Sequence, residues 1–232
     1  MTQPRPRSLG LADDRLADLL VGDGCPICGF RAQASRRYLG TILREGVTDR
    51  GIRGELDAAG GYCRRHSREL LVADREESGG GLGTAILYGS IVRRRLVAFD
   101  AISTAARRRK PAAIAAARRQ PACPACRAVE SAVTGAVARL VELAAAEDWA
   151  AAISRGEFCL EDLLALWNAA IAAGAASDGP WAPILQAQRD RIAVIERDLA
   201  GFVHHSSHDR RHLKTEAEIA SVDRGRRLLG GD

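Results

Sequence analysis

The sequence predicts an all-α protein of two pseudo-repeated helical halves, each pinned by a cysteine-rich metal site. Three observations carry that expectation. Apolar residues recur at helical spacing, and no alternating β pattern runs longer than four residues. The composition is rich in alanine and only 4% aromatic, which favours close helix contacts through small side chains. A Cys-Pro-x-Cys pair followed by an aromatic-Cys-x-x pattern occurs twice. Cys25 and Cys123 are 98 residues apart, and Cys63 and Cys159 are 96 apart.

The elements follow in order. Leu11, Leu16, Leu19 and Leu20 share one face of a helix at 10–20. Tyr38, Leu39, Ile42 and Leu43 continue the period through 29–45, and Val137, Leu140 and Val141 repeat the last three of them in the second half. A short helix at 64–73 follows Cys63, and a long one at 82–107 runs through Leu87, Ile91, Leu96 and Phe99. Pro111 and Pro121 bracket an Ala/Arg-rich connector. The second half gives helices at 126–146, 148–154, 160–173 and, after Gly179-Pro180, 182–204, with a short one near 215–228. The expected organisation is a flexible N-terminus at 1–9, a first repeat with its site at 10–110, a second repeat with its site at 121–214, and a C-terminal helix and tail at 215–232. Trp149, Trp167 and Trp181 are expected in the core of the second half.

Six cysteines in a chain expected to be cytosolic point to metal or redox chemistry before structural disulfides. Thiolates and imidazoles are the ligands zinc prefers, four to an ion and tetrahedral. Cys25, Cys28, Cys63 and His66 are read as a closed Cys3His site, with each pair at a helix start where free backbone N–H groups face the sulfurs. Cys123, Cys126, Cys159 and Asp162 form the second set, with a carboxylate where the first has imidazole and Glu161 beside it as a substitute. That set is expected to hold its metal less firmly, because a fourth anion takes the formal charge with zinc from −1 to −2. Arg127 is expected to offset part of it. Buried free thiols, a disulfide, or an iron–sulfur cluster at a three-cysteine set are the alternatives. A thioredoxin-like reading is disfavoured, because no βαβ pattern surrounds either pair.

These motifs resemble an uncharacterised bacterial family, a domain of unknown function. The resemblance rests on Cys25-Pro26-Ile27-Cys28, on Gly61-Tyr62-Cys63-Arg64-Arg65-His66, on Gly83-Thr84-Ala85-Ile86-Leu87-Tyr88 and on the second pair at Cys123 to Cys126. It spans roughly residues 20–215. It implies a helical, metal-binding protein and no established activity. Asp162 departs from the histidine the family shows in its second half.

His204, His208 and His212 would stack at i, i+4 and i+8 if the long helix continued, making an open three-histidine site that Glu216 or Glu218 would complete. Ser206 and Ser207 weaken the helix there. The Gly79 to Thr84 segment lacks both a preceding strand and a Gly-Lys-Ser/Thr, so it is not a phosphate loop. Ser207-His208-Asp209 is adjacency, not triad geometry.

The net charge is +5 and the cations are almost all arginine. No apolar run approaches the roughly 20 residues of a membrane span. The first functional expectation is a cytoplasmic zinc protein, a scaffold or interaction module with a protein partner, no membrane association and no assigned catalytic residue. The second is an iron–sulfur or metal-dependent redox component. The third is nucleic-acid binding through arginine, unsupported by any finger or helix-turn-helix spacing.

Overall fold

The computed structural model describes residues 4–7, 10–107, 122–175 and 179–230. The connector at 111–121 and most of the basic run at 107–110 therefore lie outside the described residues. Among those described there are ten α-helices and no strand. They are α1 (Leu11–Val21), α2 (Pro26–Thr41), α3 (Arg50–Ala59), α4 (Arg64–Ser78), α5 (Leu82–Arg107), α6 (Pro124–Leu143), α7 (Glu147–Arg155), α8 (Leu160–Ala172), α9 (Trp181–His204) and α10 (Glu216–Gly230). A π-helical turn, Ile42–Gly46, extends α2. No described helix is long and apolar enough to cross a membrane.

The order α2–α5 recurs in α6–α9. The expectation omitted α3, whose signal lay in Asp49, an N-cap accepting from Ile52 N at 2.8 Å, and in the spacing of Ile52, Leu56 and Ala59. Gly51 and Gly54 obscure that period.

The chain divides into two compact units, and neither is one half of the sequence. One is Ala32–Ala132; the other joins Met1–Arg31 to Val133–Asp232. The expected boundaries thus differ from the observed ones, because α2 and α6 each begin in one unit and continue into the other.

In the first unit Leu39, Ile42, Leu56, Leu70, Leu87 and Ile91 form the core, with Tyr62 and Ala125 in the same cluster. α3 and α4 both pack on α5. Tyr38 meets Tyr62 edge to face at 6.4 Å. Buried Asp74 accepts from Thr84 N at 2.7 Å and so satisfies a free donor at the start of α5. The α3–α4 turn requires glycine. Gly60 has φ +68°, and a Cβ there would stand 2.0 Å from an Arg95 guanidinium nitrogen.

In the second unit Trp149, Ile153, Leu166, Trp181 and Ile184 are buried. Trp167 is half-buried, 6.5 Å from Trp181. Buried Gln188 on α9 donates to the carbonyls of Ile153, Ser154 and Gly156, and Arg191 donates to those of Arg155 and Gly156. Together they satisfy the open carbonyl end of α7. Buried Asp13 is held by Arg139 at 2.9 and 3.0 Å. Of the expected flexible N-terminus, residues 4–7 are tied down. Trp149 Nε1 donates to Arg7 O at 2.8 Å, and Arg5 pairs with Asp14 and Asp18.

Candidate metal centres

Each ligand pair occupies the same place on its helix. Cys25, Cys63, Cys123 and Cys159 are the residues just before α2, α4, α6 and α8, and the carbonyl of each accepts the first helical bond: from Gly29 N (2.9 Å), Ser67 N (2.8 Å), Arg127 N (3.1 Å) and Leu163 N (2.9 Å). Pro26 and Pro124 stand at the first helical position, where proline costs no hydrogen bond. The second ligand of each pair, Cys28, His66, Cys126 or Asp162, comes three residues later, on the first turn. The Cys-x-x-ligand spacing therefore sets one ligand at the N-cap and the other at the third helical position, so that both side chains lie at the same helix end.

The four pairs meet in twos, but not within the halves as expected. One group is Cys63, His66, Cys123 and Cys126; the other is Cys25, Cys28, Cys159 and Asp162. Within each group the ligand atoms all lie within 4.8 Å of one another. The expected sets Cys25, Cys28, Cys63, His66 and Cys123, Cys126, Cys159, Asp162 are thus corrected: each observed group takes the Cys-Pro-x-Cys pair of one half and the later pair of the other. The physical reason lies in the units above. The start of α6 folds with α4, and the start of α2 folds with α8.

In the Cys3His group, Nδ1 of buried His66 lies 3.2 Å from the Cys63 sulfur, 3.3 Å from that of Cys126 and 3.7 Å from that of Cys123. Cys63 and Cys126 are 3.7 Å apart. A tetrahedron with Zn–S arms of about 2.3 Å has edges of about 3.8 Å, so the spacing fits a single ion. Burial lowers the His66 pKa, which favours the neutral imidazole a metal needs. Its buried Nε2 has no hydrogen-bond partner among the described residues. The Cys63 thiol is pushed up by burial but lowered more by the backbone N–H groups of His66 and Arg65, and it titrates below its ordinary value. Burial and the Cys63 sulfur push Cys126 up to about 12.

In the second group, Oδ2 of Asp162 lies 3.3 Å from the Cys25 sulfur, 3.2 Å from Cys28 and 3.3 Å from Cys159, and Cys28 and Cys159 are 3.9 Å apart. Asp162, not the exposed Glu161, faces the sulfurs. Burial alone would raise its pKa, but the Arg31 guanidinium outweighs it and holds the carboxyl below the usual range. Burial pushes the Cys159 thiol up to about 11, and the Cys28 sulfur and burial raise Cys25. The charge offset expected from Arg127 comes instead from Arg31. Arg127 pairs with Glu55 at 3.2 Å, because its helix starts in the other group. Cys25 also borders a cavity of about 300 Å³. The arginines lining it are engaged: Arg191 on carbonyls, Arg224 on Asp198 and Arg227 beside Asp223.

The histidine stack is not formed. α9 ends at His204, with Ser206 Oγ bonded back to Phe202 O, so His208 and His212 leave the helical face. His204 Nε2 lies 3.0 Å from an Arg210 nitrogen, and no metal-ligand group among the described residues includes His204, His208 or His212. Glu218 has a structural role: it forms a capping box with Thr215 at the start of α10 and stands 3.1 Å from His205 Nδ1.

None of the six cysteines is in a disulfide. No curated protein matches the chain, and no solved structure matches it. A family described as a family of unknown function, DUF6062, matches residues 17–225, a stretch that includes all eight ligand residues. The chain belongs to that family.

Proposed function

We propose that this is a zinc protein whose two four-ligand sites hold the helix starts together, and that it serves as a scaffold or interaction module. The observation that carries the reading is the pair of closed tetrads, each with ligand atoms 3.2–3.9 Å apart where measured and each at two helix N-termini. Closed four-ligand sites are structural, since catalytic zinc keeps a position open. The ligand spacing suits one ion; a multi-iron cluster spreads its sulfurs over several metal atoms, so the iron–sulfur reading stands second. We read the repeated helix order and the exchanged pairs as an internal duplication, and six cysteines without a disulfide as suited to the reducing cytoplasm.

Arginines account for much of the basic charge without nucleic acid: Arg31, Arg44, Arg127, Arg139 and Arg224 each hold a carboxylate. The surface we favour for a protein partner is α5, which exposes Val92, Leu96 and Phe99 four and three residues apart.

Elemental analysis of protein purified without air tests the metal reading. The expected result is two zinc ions per chain and no visible absorption. A folded chain with neither zinc nor another metal overturns the reading, and iron with inorganic sulfide transfers it to the redox alternative.

A further inference from the structure

We propose that Arg31 determines how the second site holds its ion. It takes one oxygen of Asp162, turns the other to the three sulfurs, and supplies the positive charge that makes a Cys3Asp set equivalent to the Cys3His set. The proposal rests on the metal reading above.

The geometry is specific. An Arg31 guanidinium nitrogen lies 2.8 Å from Asp162 Oδ1, and the other lies 3.3 Å from Oδ2 and 3.6 Å from the Cys28 sulfur. Oδ2 is left at 3.2–3.3 Å from all three sulfurs, where the fourth corner of a tetrahedron belongs. Arg31 thereby fixes a single-oxygen ligand. Two nitrogens of one rigid planar fork make three contacts, to the carboxylate and to a cysteine sulfur together, a geometry that the single ammonium of lysine does not offer.

The charge account gives the same assignment. With Zn²⁺, three thiolates and a neutral imidazole total −1. With a carboxylate in place of imidazole the total is −2, and Arg31 returns it to −1. Asp162 is 3% exposed and Arg31 24%, so the compensation acts where water screens little. In the other site the residue three positions past the second cysteine is not basic. It is Val129, 5% exposed, where Arg31 stands three past Cys28. Arginine with aspartate in one site matches valine with histidine in the other. The two differences form one exchange, and either made alone leaves a mismatched charge.

Three full-length variants test this: Arg31→Val, Asp162→His and the double Arg31→Val/Asp162→His. The readouts are zinc per chain across a chelator titration and the cobalt-substituted absorption spectrum, with helicity followed throughout. The single Arg31→Val is expected to weaken the second ion by roughly tenfold to a hundredfold, the usual effect of losing a partner of a metal ligand, with the first ion unchanged. Asp162→His alone removes the carboxylate that Arg31 pairs with and takes the total with Arg31 from −1 to 0, and it is expected to weaken the same ion. The double variant is expected to recover it, with two like Cys3His cobalt spectra. If the wild type holds two ions and Arg31→Val releases neither sooner, Arg31 has no such role. A double variant that holds the ion no better than Asp162→His overturns it equally. A wild-type chain without a second ion overturns the metal reading and this proposal together.

Discussion

Cys63→Ser is expected to lower the melting temperature by roughly 10–20 °C while leaving most of the helicity in place. Structural zinc in small peptides is worth roughly 10–16 kcal/mol. Loss of about a third of that, roughly 5 kcal/mol, is a large share of a typical domain's ~5–15 kcal/mol. For a chain of this size each kcal/mol moves the midpoint by about 2–4 °C. Helicity survives because the first unit also has an apolar core built of side chains that are not ligands: Leu39, Leu70 and Leu87 are fully buried. What is lost is the anchoring of the first turn of α4 to the first turn of α6. Differential scanning calorimetry of wild type, variant and chelated wild type checks this. Superimposable melting curves for all three contradict a structural role for the ion.

Metal affinity is expected to rise steeply with pH, and more steeply at the second site. A thiol that holds its proton in the metal-free fold must release it to bind. In the first site Cys126 is pushed up to about 12 while Cys63 is lowered; in the second Cys159 is pushed up to about 11 and Cys25 is raised as well. Each proton released is a tenfold gain in affinity per pH unit. The second site, with two raised thiols against one, should show the steeper slope, so on acidification the Cys3Asp ion leaves first. The sign for the metal-free chain is opposite. A raised thiol pKa favours the fold while the thiol is protonated, and that contribution is lost as pH rises through the raised value. Asp162, with a lowered pKa, contributes above the ordinary carboxylate range and is lost as pH falls. Competition with a chromophoric chelator at several pH values measures both slopes. Equal slopes at the two sites contradict the assignment of the buried thiols.

All eight residues of the two candidate groups were legible in the sequence, because the Cys-x-x spacing is a local property of one helix start. Which pairs meet was not. Cys25 and Cys63 are closer in sequence than Cys25 and Cys159, yet α2 starts beside α8. Proximity along the chain misassigned Arg127 for the same reason, since it neighbours Cys126, which lies in the other group, and it pairs with Glu55. Long helices such as α5 and α9 were legible from their period, whereas α3 was hidden by its two glycines despite a good cap at Asp49. The histidine face failed where its own serines forecast: Ser206 closes the helix end and the periodicity stops with it.

The central claim is that each ion is shared between the two halves of the sequence. Native mass spectrometry of two double variants tests it most directly. Cys63 and Cys123 belong to one group, so Cys63→Ser/Cys123→Ser is expected to lose one ion and keep the other. Cys25 and Cys63 belong to different groups, so Cys25→Ser/Cys63→Ser is expected to lose both. The reverse pattern, in which Cys25→Ser/Cys63→Ser keeps one ion and Cys63→Ser/Cys123→Ser keeps none, would show that each half closes its own site and would contradict the exchange.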